Sequence, residues 1–174
     1  MESIVLGGGC FWCIEAAFRL ISGVESAVSG YAGGTKKDAE YYAVGSGETG
    51  HAEVVKVTFD TSVVSLKDIL DIFFTIHNPT TPNRQGNDVG PQYRSAIFYD
   101  GDAQLRAAQD AIKSVQALWD EPIITELSKL EAFYPAEDYH QDYFNKNPAQ
   151  GYCQLIINPK LKKLREKFAR LVVP

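Results

Sequence analysis

Ile4-Val5-Leu6-Gly7-Gly8-Gly9-Cys10-Phe11-Trp12-Cys13-Ile14-Glu15 reads as a buried strand, a glycine turn and the opening of a helix. The apolar run is short and ends on glycine, which suits a strand inside a sheet. Glycines permit backbone angles and close approaches closed to other residues. Beyond them Ile14, Ala17, Phe18 and Ile21 recur at helical spacing on one face, and Ser22-Gly23 stops the pattern. The unpaired N–H groups of such a helix start favour an anion, so Cys10 is a candidate low-pKa nucleophile and Cys13, one turn later, its candidate partner. A C-x-x-C alone fits redox chemistry, metal binding or two inert core cysteines. The glycine run before it and the two aromatics inside it favour chemistry.

Working outward, Val24 to Tyr31 supplies a second strand, and residues 35 to 50 form a polar, glycine-containing loop whose bulky pair is Tyr41-Tyr42. A loop of that length is more often functional than idle. Ala52 to Phe59 alternates, with Val55, Val57 and Phe59 on one face and Lys56 and Thr58 on the other. Glu53 falls on the apolar face, where burial should raise its pKa and let it donate a proton near neutrality. At the end of a strand it is equally open to solvation. Ser65 with Asp68 starts a helix carrying Leu66, Ile69, Leu70, Phe73 and Ile76, which Asn78-Pro79 ends.

From Thr80 to Gln92 no hydrophobic period is visible, and Gln85-Gly86-Asn87-Asp88 followed by Tyr93 either face a site or make local turns. Ser95 to Tyr99 is a strand, Asp102 caps a helix running on toward Trp119, and Ile123 to Leu127 is a further strand. Tyr139, His140, Tyr143 and Phe144 then share a short aromatic helix, in which His140 suits a wall better than a catalyst. Leu161, Leu164, Phe168 and Leu171 give a last amphipathic helix with a basic outer side. The order β-α-β-β-α-β predicts an α+β fold: a ferredoxin-like split βαβ two-layer core with additional C-terminal helices and a coiled tail.

At 174 residues, 45% of them hydrophobic, the chain is expected to form a single domain, 1–174, with a real core. A net charge of −5 argues against nucleic acid or an anionic membrane as the partner. Three cysteines are too few for a secreted disulfide framework, and Met1-Glu2-Ser3 lacks the features of a signal peptide, so the expected compartment is cytoplasmic and the expected state a monomer.

Gly8-Gly9-Cys10-Phe11-Trp12, Ser29-Gly30-Tyr31-Ala32-Gly33-Gly34, Thr49-Gly50-His51-Ala52-Glu53, Gln85-Gly86-Asn87-Asp88, Gln92-Tyr93-Arg94-Ser95 and Ala136-Glu137-Asp138-Tyr139-His140 resemble the peptide methionine sulfoxide reductase A family. The resemblance implies reduction of the S epimer of free and protein-bound methionine sulfoxide, and hence repair of oxidised proteins. By motif it makes Cys10 the nucleophile and Glu53 the acid. Phe11 and Trp12 become the pocket for the terminal methyl group, and Tyr41, Asp88 and Tyr93 the groups that bind the sulfoxide oxygen or position the substrate. Cys10 would pass through a sulfenic acid to a disulfide, which thioredoxin reopens, with no metal or organic cofactor.

The chain departs from the commonest pattern of that family at Cys13, where many members have glycine, and after Pro159, where a basic helix replaces a glycine-rich tail. Cys153 matches a resolving position of part of the family and is expected to act first, since the helix turns the Cys13 side chain inward; a mobile tail must carry Cys153 close, because a disulfide needs Cα atoms within about 7 Å. Cys13 is the alternative or a relay. Two other functions fit the C-x-x-C: a general thiol-disulfide oxidoreductase, and a zinc module using Cys10, Cys13, Cys153 and a histidine.

Overall fold

The computed structural model describes residues 1–174 and places the first strand in the middle of its sheet. In chain order the elements are β1 (Glu2–Gly7), α1 (Phe11–Phe18), β2 (Val24–Ala32), α2 (Tyr41–Gly45), β3 (Ala52–Phe59), α3 (Leu66–Thr75), the short strands β4 (Arg84–Gln85) and β5 (Asp88–Val89), β6 (Ala96–Tyr99), α4 (Asp102–Gln116), β7 (Glu126–Lys129), β8 (Tyr134–Pro135), α5 (Tyr143–Lys146) and α6 (Asn158–Lys167). The main sheet runs β7-β6-β1-β3-β2-β8. β3 pairs antiparallel with β1, from Glu2↔Phe59 to Leu6↔Val55, and antiparallel with β2 on its other side. It therefore splits the β1-α1-β2 unit, as the strand order predicts. β6 closes the far side of β1 antiparallel, β7 adds to β6 in parallel, and the two-residue β8 adds to the outer edge of β2.

Alternation along the strands divides the core. Ile4, Leu6, Val55, Val57 and Phe59 face α1 and α3 in the large cluster, while Val5, Val54, Ala96 and Phe98 make a smaller one on the other side, covered by Leu130 and Phe133. Glu53 shares the helix-covered face and is 3% exposed. α3 starts with a reciprocal cap, the Asp68 N–H donating to Ser65 Oγ at 3.0 Å and the Ser65 N–H to Asp68 Oδ2 at 3.4 Å.

Several expected boundaries move. The 35–50 loop contains α2, capped by the Glu40 side chain, and the 80–92 loop folds back as the β4-β5 hairpin. Gly101, not Asp102, caps α4, and Trp119 lies beyond its end at Gln116. The last expected strand shifts from 123–127 to Glu126–Lys129, where parallel pairing with β6 sets the register. The aromatic helix is broken in two: Asp138–His140 is a 3₁₀ turn, and α5 begins only after a left-handed Asp142. The tail is not coil around Cys153. Residues Cys153–Ile157 form a π-helical turn running into α6, and burial of Cys153, Ile157, Leu161 and Leu164 holds that segment on the core.

β2 and β8 meet where there is no room for a side chain. A Cβ on Gly30 would lie 2.5 Å from the Tyr134 carbonyl oxygen and 2.5 Å from the Phe133 ring. Gly30→Ala must push β8 off the sheet, so it is expected to destabilise the fold by about 2 kcal/mol. Thermal unfolding should report this as a Tm lower by about 4–8 °C.

Candidate active site

β1 delivers the chain to the N-terminus of α1, where Cys10 occupies the N-cap position, half-buried. The turn into it depends on Gly9, whose φ of +94° suits glycine and whose Cβ would stand 2.6 Å from Gln85 Cγ. Gln85 is itself fastened to Asn78, accepting its N–H at 2.8 Å and donating to its carbonyl at 2.9 Å. Behind Gly8 lies the ring of His77, bonded to the Phe73 carbonyl at 2.5 Å and the Ser95 hydroxyl at 2.7 Å. Burial pushes His77 down to about 3, so it is a neutral wedge under the glycine turn. Sequence reasoning missed it, since a histidine just past a helix end carries no periodic signal.

Glu53 meets this turn from β3. Its Oε1 accepts the Phe11 N–H at 3.2 Å, and burial, reinforced by Asp88 and Cys13 and opposed by that bond, pushes the carboxyl from 4.5 up to about 8. At neutral pH it holds its proton. Burial and the charges of Glu53 and Cys10 push Tyr41 up to about 12 and Tyr93 well above its ordinary value, so both keep their hydroxyl protons. Glu53, Tyr41 and Tyr93 thus all keep their protons at neutral pH.

Cys10 differs from the expected low-pKa thiolate. Burial first, then the Cys13 thiol and Glu53, push the Cys10 thiol well up, and only the Trp12 N–H acts to lower it. The helix N-terminus loses this contest because its first free N–H is already taken by Glu53, and the stabilisation it offers a charge, about 0.3–1 kcal/mol at exposed sites, is small beside desolvation. Cys13 is shifted the other way, chiefly by a hydrogen bond from Cys10 and helped by Lys160 and the Tyr152 hydroxyl. It is 2% exposed, with Sγ 3.7 Å from Tyr152 Oη. Cys153, also buried, feels the charge of Cys13. The three cysteines are all free thiols.

The aromatic wall is built from distant parts of the chain. Trp12 stacks on Tyr143 at 3.7 Å and 5°, meets the edge of Tyr152 at 5.9 Å, and donates its Nε1–H to His140 Nδ1 at 3.1 Å. Phe11 is 1% exposed and lies beneath this wall, 5.8 Å from Tyr31 and 5.2 Å from His140. The His140 ring covers Tyr41 at 4.3 Å, which makes it a wall residue. Glu137 ties the Tyr41 loop down, accepting the Tyr41 N–H at 3.0 Å and the Tyr31 hydroxyl at 2.9 Å. Asp88 accepts the Tyr152 hydroxyl at 2.8 Å, closing the site on the side of the π-helical turn. Tyr143, Tyr152, Glu137 and His77 join the predicted residues only through folding. No three Cys, His, Asp or Glu side chains converge to hold a metal ion.

A thiol at a helix N-cap, flanked by a second thiol and facing a protonated carboxyl and two tyrosines, defines a cysteine-dependent redox enzyme on a split βαβ scaffold. The family model for peptide methionine sulfoxide reductase matches residues 2–171, and the chain belongs to that family. A peptide methionine sulfoxide reductase MsrA from Arthrobacter sp. (strain FB24) is 54% identical over 169 residues, 97% of each chain. Among solved structures, reduced Mxr1 from Saccharomyces cerevisiae superposes with a TM-score of 0.83 at 37% identity, covering 87% of this chain and 88% of that one. Mxr1 in complex with Trx2 matches with a TM-score of 0.58 at 27% identity, over 82% of this chain and 84% of that one. No helix is long and apolar enough to cross a membrane.

Proposed function

We propose that this chain reduces the S epimer of methionine sulfoxide, free or in proteins, with Cys10 as nucleophile. The observation that carries the proposal is Glu53: a carboxyl 3% exposed, kept protonated to about 8, at the mouth of the Cys10 helix. A sulfoxide oxygen gathers charge as its bond to sulfur breaks, and proton donors in a dry site are what that oxygen needs. A general thiol-disulfide exchange has no oxygen to receive them.

The methyl group rests against Trp12, favoured by apolar contact and by sulfur beside aromatic rings. Glu53 gives its proton to the sulfoxide oxygen, with Tyr41 and Tyr93 as hydrogen-bond donors, and the carboxylate left behind takes the proton of the raised Cys10 thiol. Cys10 Sγ becomes bonded to oxygen, the substrate S–O bond breaks, methionine leaves, and Cys10 carries a sulfenic acid. The substrate sulfur gains the two electrons that Cys10 loses, and the thiol proton is balanced by the sulfenic hydroxyl.

A second thiol condenses with the sulfenic acid, forming a disulfide and water. We place Cys13 ahead of the expected Cys153, since Cys13 sits one turn along α1 with its N–H on the Cys10 carbonyl at 3.1 Å, whereas Cys153 is held buried in the π-helical turn. Exchange then passes the disulfide from Cys10–Cys13 to Cys13–Cys153. An external dithiol, thioredoxin by analogy with the Mxr1–Trx2 complex, opens it. With stoichiometric S-sulfoxide and no reductant, Cys153→Ser should still yield one methionine and a Cys10–Cys13 disulfide, whereas Cys13→Ser should stall as the sulfenic acid, trapped by dimedone. Thioredoxin-supported turnover should fall about tenfold or more in both. Turnover of the R epimer instead of the S epimer, or of neither with dithiothreitol, would defeat the functional proposal.

A further inference from the structure

Asp142 holds a left-handed backbone, φ +53° and ψ 37°, and Asn83 is the only other non-glycine residue with positive φ. L-residues avoid this region, aspartate and asparagine less than most, and a residue kept there is held by its surroundings. Here the holder is Glu15, one turn past Cys10 on α1 and 1% exposed. Its Oε2 accepts the Asp142 N–H at 2.5 Å and Arg19 Nε at 2.7 Å, and its Oε1 accepts the Ser29 hydroxyl at 2.7 Å. Arg19 reaches Asp142 Oδ1 at 3.5 Å. A buried carboxylate needs such a set of partners, yet Glu15 takes no part in the chemistry above.

The purpose of the knot lies on either side of Asp142. Two residues before it, His140 Nδ1 accepts the Trp12 indole N–H; one residue after it, the Tyr143 ring stacks on the face of the same indole. Gln141 between them is pinned to both backbone groups of Ser29, accepting its N–H at 3.0 Å and donating to its carbonyl at 2.8 Å. Only a reversal of chain direction at Asp142 lets both residues touch Trp12. A right-handed or extended Asp142 would send Tyr143 elsewhere.

We infer that the Glu15–Arg19–Asp142 knot positions Trp12 as the wall of the S-methyl pocket, with Asp142 acting as a positioning residue through its left-handed backbone. The inference rests on the sulfoxide reductase proposal for its activity readout, and on nothing beyond the geometry for its spectroscopic one.

The test uses the full chain carrying Trp119→Phe, which leaves Trp12 as the sole indole. Asp142→Ala removes the side chain and strains the left-handed backbone; Asp142→Gly removes the same side chain and relieves it. The exposed ion pair to Arg19, lost in both, contributes little. Asp142→Ala should raise KM for a methionine-S-sulfoxide peptide about tenfold, leave kcat within about threefold, and shift Trp12 emission to the red with greater acrylamide quenching. Asp142→Gly and Asp142→Asn should keep KM within about threefold and the parental emission. Unchanged KM and emission in Asp142→Ala would overturn the inference, as would equal effects of alanine and glycine, since the backbone would then not be what matters. If the parent reduces no sulfoxide, the functional proposal fails while the emission of the three variants still decides the positioning role. A poorly folding Asp142→Ala chain that Asp142→Gly and Asp142→Asn rescue in Trp12 emission supports it, and failure of both to rescue overturns it.

Discussion

Cys10→Ser should reduce neither epimer of methionine sulfoxide above the uncatalysed background, with dithiothreitol or with thioredoxin. The loss is complete in kind as well as in size. A serine hydroxyl cannot take up the oxygen atom and return as a sulfenic acid, so the two electrons the substrate needs have no source. No neighbouring thiol can take over. Cys13 and Cys153 are both buried, so the substrate meets neither. Stability should hardly change, since Cys10 is only half-buried and serine fits the N-cap of α1 at least as well. A folded Cys10→Ser protein with unaltered melting and substantial turnover would remove Cys10 from the mechanism.

Glu53→Gln should lower the rate of the sulfoxide step by about 10²–10⁴-fold while stabilising the protein. The amide oxygen can still accept the Phe11 N–H, but no proton can be given to the substrate oxygen. The pH dependence has a definite sign. The folded carboxyl titrates at about 8 and the unfolded one at 4.5, so between these values the native state binds more protons than the unfolded state. Its contribution to stability is therefore full below about 4.5 and is lost as pH rises toward 8. Glutamine escapes that loss. Its advantage should grow through this window to about 3 kcal/mol at pH 7, several degrees in Tm. In the wild type the rate of sulfenic acid formation should decline above pH 8 as Glu53 ionises. A glutamine variant with wild-type single-turnover rates, or one less stable than wild type at pH 8, would contradict the role assigned to the carboxyl.

Glu53 sits on the inner face of β3 at a cost in stability. Alternation from Ala52 to Phe59 displayed the anomaly directly, because a period of two leaves no doubt about which face residue 53 shares. The strand–turn–helix at Cys10 and the capping box at Ser65 were legible for the same reason: each is decided by residues within a few positions of one another. Legibility ended where partners are far apart in the chain. His77, Glu137, Tyr143 and Tyr152 are ordinary residues in their local sequence, and Trp12 finds His140 across 128 positions. The break of the expected 139–144 helix is of this kind too, since a partner 127 residues away, Glu15, holds Asp142 left-handed.

The sequence by itself determined the split βαβ order, the placing of Cys10 at a helix start and of Glu53 on the apolar face, and the family resemblance, because periodicity, capping and motif are local properties. The tertiary structure alone decided the protonation of the site and the packing of the Cys153 segment. Cys10 is raised where the helix N-terminus suggested a lowered thiol, since desolvation comes from the whole surrounding fold and outweighs a short-range dipole. The π-helical turn at Cys153–Ile157 is packed onto α1, an arrangement set by buried side chains rather than by any spacing in the chain.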